Sequence, residues 1–168
     1  MKNLVSFITF LWLPLLMWTQ PTLPEEFVLD APDDYPQYQE IVIESLQWLL
    51  KTPMEEQVNL RAKHNAFDLI WLSGAPNLSI DIDSKAMPFM DTHEELFYTF
   101  IFGMALYQLK HPGVKTDKIK LHTYGLKAVA EMVLKSHHVE MDASLRKIVK
   151  AYRKKQLKEY AQKRLEEQ

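Results

Sequence analysis

Six histidines and a handful of aspartates are the residues whose types and spacing could do chemistry in this chain. His64 and Asp68 stand four apart, on one face of any helix that carries them, a separation a divalent ion can bridge. The structural alternative is a hydrogen-bonded pair at or just below the surface. Asp81 and Asp83 form an Asp-x-Asp pair, but the glycine and distal glutamate of a calcium loop do not follow. His93-Glu94-Glu95 begins like the zincin signature, yet Phe97 occupies the place of the second histidine. These three residues suit the start of a helix better. The Glu-x-x-His pairs of di-iron bundles are absent, and His137-His138 read as a polar helix end. With no cysteine there is no disulfide, thiolate catalysis, cysteine-ligated zinc or lipobox. Neither a Gly-x-Ser-x-Gly elbow nor a glycine-rich phosphate loop occurs. No metal or cofactor is therefore expected. An enzyme would need His64, Asp68, Asp81 and Asp83 to converge in one cleft.

The elements that must position these residues are helical. The chain has 168 residues, enough for one domain and hardly for two. Its 47% hydrophobic and 25% charged content is that of a globular protein, and only 4 glycines argue against the many tight turns of an all-β fold. A net charge of −2 gives no reason to expect nucleic acid. Aromatics such as Phe97, Phe100, Phe102 and Tyr107 lie in apolar helical runs and offer no base-stacking surface.

Residues 1–19, MKNLVSFITFLWLPLLMWT, combine basic Lys2 with an apolar core and read as an export signal processed near Thr19/Gln20. The alternative is an uncleaved N-terminal membrane anchor. Residues 20–35 form an extended acidic leader, since the stretch 20–36 holds four prolines and five acids. Residues 36–168 then make one all-α domain, a compact bundle of about five helices around a central apolar helix at about 92–111.

The first helix is expected over 36–51. A second follows directly, with Thr52 as cap, Pro53 in the first turn and Glu55 closing a capping box, and it runs to about Leu72. Residues 75–90 are expected to be extended. There Leu78, Ile80 and Ile82 alternate with Ser79, Asp81 and Asp83, so the apolar set docks on the bundle. The central helix takes Asp91 or Thr92 as its cap and stops at Pro112-Gly113. Its apolar run of about 14 residues is short of the roughly 20 that a bilayer span needs, so its neighbours are protein. Gly103 within that run marks a close helix crossing. A fourth helix, capped by Thr116, reaches about Lys135. A last helix opens at Met141 or Asp142, with an apolar stripe from Leu145 to Tyr160 opposite a basic face from Arg146 to Lys158. Charge is thus divided, acidic before the central helix and basic after it. Packed helices could neutralise each other, or the basic face could meet an acidic partner.

The segments WLLKTP, RAKHNAFDLIWLSGAPNLSIDI and FGMALYQL resemble a family of small exported helical proteins of Gram-negative bacteria that carry no assigned activity. The resemblance covers about half the chain, from Trp48 to Ser136, and implies an envelope location without implying a reaction. FGMALYQLK and YGLKAVAEMVL are also similar to a tetratricopeptide helix pair, though the regular recurrence is missing. The expected function is therefore a non-enzymatic interaction or scaffold protein, periplasmic or extracellular, with a protein partner. Membrane contact would come only through an uncleaved N-terminal segment. Asn77, Asp81 and Asp83, with His64 and Asp68, are the candidate interaction surface. The competing classes are an envelope enzyme and a small-ligand carrier lined by methionines and phenylalanines.

Overall fold

A computed structural model describes residues 20–115 and 117–167. The export signal assigned to 1–19 and the cap assigned to Thr116 lie outside these. Six α-helices are present among the described residues, α1 (Gln39–Lys51), α2 (Val58–Gly74), α3 (Phe97–Lys110), α4 (Lys118–Lys135), α5 (Ala143–Arg153) and α6 (Leu157–Glu166). No strand occurs among the described residues, and no described helix is long and apolar enough to cross a membrane.

The helix α3 is apolar on two opposed faces because it serves two cores. Leu96, Phe100, Met104 and Tyr107 pack into one with α4, α5 and α6. Ile101, Ala105 and Leu109 pack into the other with α1 and α2. The crossing with α4 is close because Gly103 meets Gly125 and Ala128. A Cβ placed on Gly103 would lie 2.6 Å from the Ala128 Cβ and 2.7 Å from the Tyr124 carbonyl oxygen.

Several helix ends differ from the sequence expectation. Thr52 does not cap α2, whose cap is Gln57 in the left-handed region at φ 50°. Glu55 closes no capping box. Its carboxylate instead accepts from the His137 amide at 2.8 Å, and the Arg61 guanidinium takes the Thr52 carbonyl at 2.9 Å. Long-range partners outbid the local motif there. At α3 a single 3-10 turn, Glu94–Leu96, precedes the helix with His93 as its cap. Thr92 is drawn away, donating to the Asp142 carboxylate at 2.8 Å. The cap of α4 is Asp117, which accepts from the Lys120 amide at 2.6 Å.

The expected last helix is two. Lys155 adopts φ 57°, and the Gln156 amide donates back to the Ala151 carbonyl at 2.8 Å, a left-handed helix stop of the kind glycine usually makes. The break turns α6 back over α4 and α5, where Leu157 and Ala161 become buried.

Residues 75–90 do not keep the alternation. Leu78 and Ile80 pack on the core, but Ile82 is 43% exposed. Asp83 accepts from the Lys85 amide at 3.0 Å and starts a 3-10 turn, Ser84–Ala86, which ends the period of two. Ala86, Met87 and Phe89 beyond it are buried. In the leader, Phe27 sets its ring edge-on to Phe67, with centroids 5.0 Å apart.

Candidate functional site

Two of the singled-out residues, His64 and Asp68, meet inside the α1–α2 interface. Each lies on the inner face of α2 and is fully buried. Between them stands Ser45 of α1, also fully buried, its Oγ 2.7 Å from His64 Nδ1 and 2.7 Å from Asp68 Oδ2. The Trp48 ring covers the imidazole, with centroids 4.8 Å apart. Burial pushes the Asp68 carboxyl up to about 8, against the Ser45 hydrogen bond, which acts to lower it. Burial also lowers the His64 pKa. Both shifts disfavour net charge in a place without solvent.

This is not a hydrolytic triad. There the aspartate orients the histidine and the histidine activates the serine. Here the hydroxyl sits in the middle, bonded to both partners. A hydroxyl with no exposed surface cannot reach an external substrate. What the cluster does is tie α1 to α2 in one register. His64 Nε2 and Asp68 Oδ1 are buried without a hydrogen-bond partner among the described residues. The sequence carried a signal for Ser45: it is a hydroxyl on the face that Val42, Leu46 and Leu49 otherwise make apolar.

The other candidate residues lie elsewhere. Lys118 of α4 reaches Asp81 at 3.3 Å and Asp83 at 2.9 Å. The Asp83 pKa is lowered, chiefly by that lysine and then by the Lys85 amide. The Asp83 amide donates to His122 Nε2 at 3.3 Å, while His122 Nδ1 donates to the Lys118 carbonyl at 2.8 Å, which fixes one neutral tautomer. The acidic pair therefore anchors its segment to the start of α4. Asn77 lines a separate groove with Gln39, Gln108 and the turn after α3. His64, Asp68, Asp81 and Asp83 are thus not brought together. Among the described residues no group of three or more histidines, aspartates or glutamates could hold a metal.

Two basic surfaces remain, one that the sequence showed and one that it did not. The first is the outer face of α5 and its continuation. Leu145, Ile148 and Val149 bury the inner stripe. Outside, Arg146, Lys147, Lys150, Arg153, Lys154 and Lys158 are exposed, and none forms an ion pair with another described residue. The second is an open groove of about 340 Å³ where α1 and α4 flank the second half of α3. Leu50, Leu106, Tyr107, Tyr124 and Ala128 line its floor, and Lys51, Lys110, Lys127 and Lys135 its rim. Glu131 is the one acid among its lining residues. Tyr107 stacks on Tyr124 at 3.9 Å and on His111 at 4.3 Å between centroids.

No protein-family model matches the chain, and neither a curated protein nor a solved structure matches it at a significant level.

Proposed function

We propose that the chain is an exported, non-enzymatic helical interaction module of the cell envelope that holds an acidic protein partner on the outer face of α5. The observation that carries this reading is the row Arg146, Lys147, Lys150, Arg153 and Lys154, exposed and without an ion-pair partner among the described residues. The apolar stripe of α5 is already used in the core, so the cations are the part of the helix left for another molecule. Asp81 and Asp83 are engaged on Lys118, and Glu131 on Lys127 and Tyr152. This reading places the contact on the basic face rather than on Asp81 and Asp83, which are tied to Lys118. Export rests on the pattern of Lys2 followed by an apolar core.

The test is photo-crosslinking in intact cells from a reactive side chain at position 147, compared with the triple variant Lys150→Glu, Arg153→Glu, Lys154→Glu. An acidic envelope protein captured by the parent and lost from the variant, with unchanged circular dichroism, is the expected result. Equal capture by both would refute the role of this face. Mass analysis of the mature N-terminus tests export separately; an intact Met1 on cytoplasmic protein would contradict it.

A further inference from the structure

We propose that the acidic partner of the α5 face is the leader of a second copy of this chain, so that copies join head to tail. The inference rests on the α5 reading and names its partner. Burial alternates along the leader. Phe27 and Leu29 pack on the α1–α2 core, while Glu26, Val28 and Asp30 between and beside them are exposed. The backbone there is held, since the Val28 amide donates to the Tyr38 hydroxyl at 3.3 Å and the Phe27 ring sits edge-on to Phe67. Val28 is 55% exposed. A single exposed valine would say nothing, but this one stands between two carboxylates. Neither Glu26 nor Asp30 forms an ion pair with another described residue.

The α5 face is the counterpart. Arg146, Lys150, Arg153 and Lys154 surround an open groove of about 370 Å³ whose apolar lining is Met141 and Val149. Cations around a small apolar floor match carboxylates around a valine. The spacing agrees as well. In an extended segment, residues as far apart as Glu26 and Asp30 stand about 13 Å from each other. Arg146 and Arg153 lie about 10.5 Å apart along the helix axis, and their long side chains take up the difference. Arg146 spends one donor on the Met141 carbonyl at 2.6 Å and keeps four, enough for a carboxylate. The pairing is not made within one chain. The leader belongs to the core of α1 and α2, α5 to the core on the other face of α3, and no ion pair joins them among the described residues. Contact between two different patches is heterologous and adds copies in series.

The experiment is sedimentation velocity of the protein as purified from its cells, across concentration and salt. The parent should associate reversibly below about 1 mM and separate at about 0.5 M salt, where charges are screened beyond roughly 4 Å. A leader variant, Glu26→Lys with Asp30→Lys, and the α5 triple variant should each stay monomeric, with unchanged circular dichroism because every altered side chain is exposed. Mixed together they should associate again, since each then offers the other a surface of opposite charge. Val28→Ser changes no charge and should weaken the parent's association about tenfold, which separates a docked contact from attraction between net charges. A photoreactive side chain at position 28 should crosslink to residues 141–154 of another copy. A parent that stays monomeric, association indifferent to salt or to the variants, a mixture that does not restore it, or a crosslink from position 28 that lands elsewhere would each overturn the proposal. Capture of a different acidic protein at position 147 by a chain that stays monomeric would keep the α5 reading and overturn this one.

Discussion

Gly103→Ala gives a test whose sign separates local from tertiary control. In an isolated helix the change is favourable, by about 1 kcal/mol. In this fold the new Cβ would lie 2.6 Å from the Ala128 Cβ and 2.7 Å from the Tyr124 carbonyl oxygen. Carbon atoms attract at roughly 3.5–4.0 Å, so the helices must separate by about 1 Å or tilt. Neither obstacle is the flexible end of a side chain; one is backbone and the other a Cβ held by backbone. Overpacking of this kind costs about 1–3 kcal/mol. Two rigid contacts put the value in the upper part of that range, and subtracting the propensity gain leaves a net loss of about 1–2 kcal/mol. Urea unfolding of the full chain followed by circular dichroism measures it. Ala128→Gly removes one of the two obstacles, so the double-mutant cycle should show favourable coupling between the two changes. A Gly103→Ala protein that is more stable than the parent, or a cycle with zero coupling, would refute the close crossing.

Ser45→Ala should destabilise by about 2–4 kcal/mol in the same assay, because it leaves His64 Nδ1 and the Asp68 carboxyl buried without their shared partner. Asp68 should also make stability depend on pH. Its folded pKa stands at about 8 against an ordinary 3.8, so the unfolded chain releases the proton first and stability falls as pH rises between those values. The stability difference between parent and Asp68→Asn should shift against the parent over that window; a pH-independent difference would contradict it. His64, with a lowered pKa, acts in the opposite sense and removes stability as pH falls below its ordinary 6.5. Lys155→Gly should stabilise by about 1 kcal/mol, since φ 57° strains any residue with a Cβ; a lower unfolding midpoint would count against the left-handed stop.

The helical class, the C-terminal limit of α1, the apolar run of α3 and the meaning of Gly103 were readable from residue order; the expected start at 36 is a separate 3-10 turn, Pro36–Tyr38, and α1 begins at Gln39. Each rests on interactions within a few residues or on a composition that allows one kind of packing. The cap of α2 was misread because Glu55 found a partner far along the chain, the His137 amide, while Arg61 of α2 itself took the Thr52 carbonyl. The break between α5 and α6 was invisible because a lysine occupies a position where glycine would have announced it.

The candidate residues divide the same way. Spacing alone placed His64 and Asp68 on one helix face, since four residues are about one helical turn. It could not say that Ser45, 19 residues earlier, would stand between them. Nor could it say that Lys118 would take up Asp81 and Asp83, because that pairing depends on where α4 begins relative to the preceding loop. The sequence by itself determined that the chain forms helices and which faces of them are apolar, because propensity and periodicity are local. Only the tertiary structure decided which charges neutralise each other and which are left over. Coulomb interactions act through space, and Lys118 meets Asp81 and Asp83 although the whole of α3 lies between them in the chain.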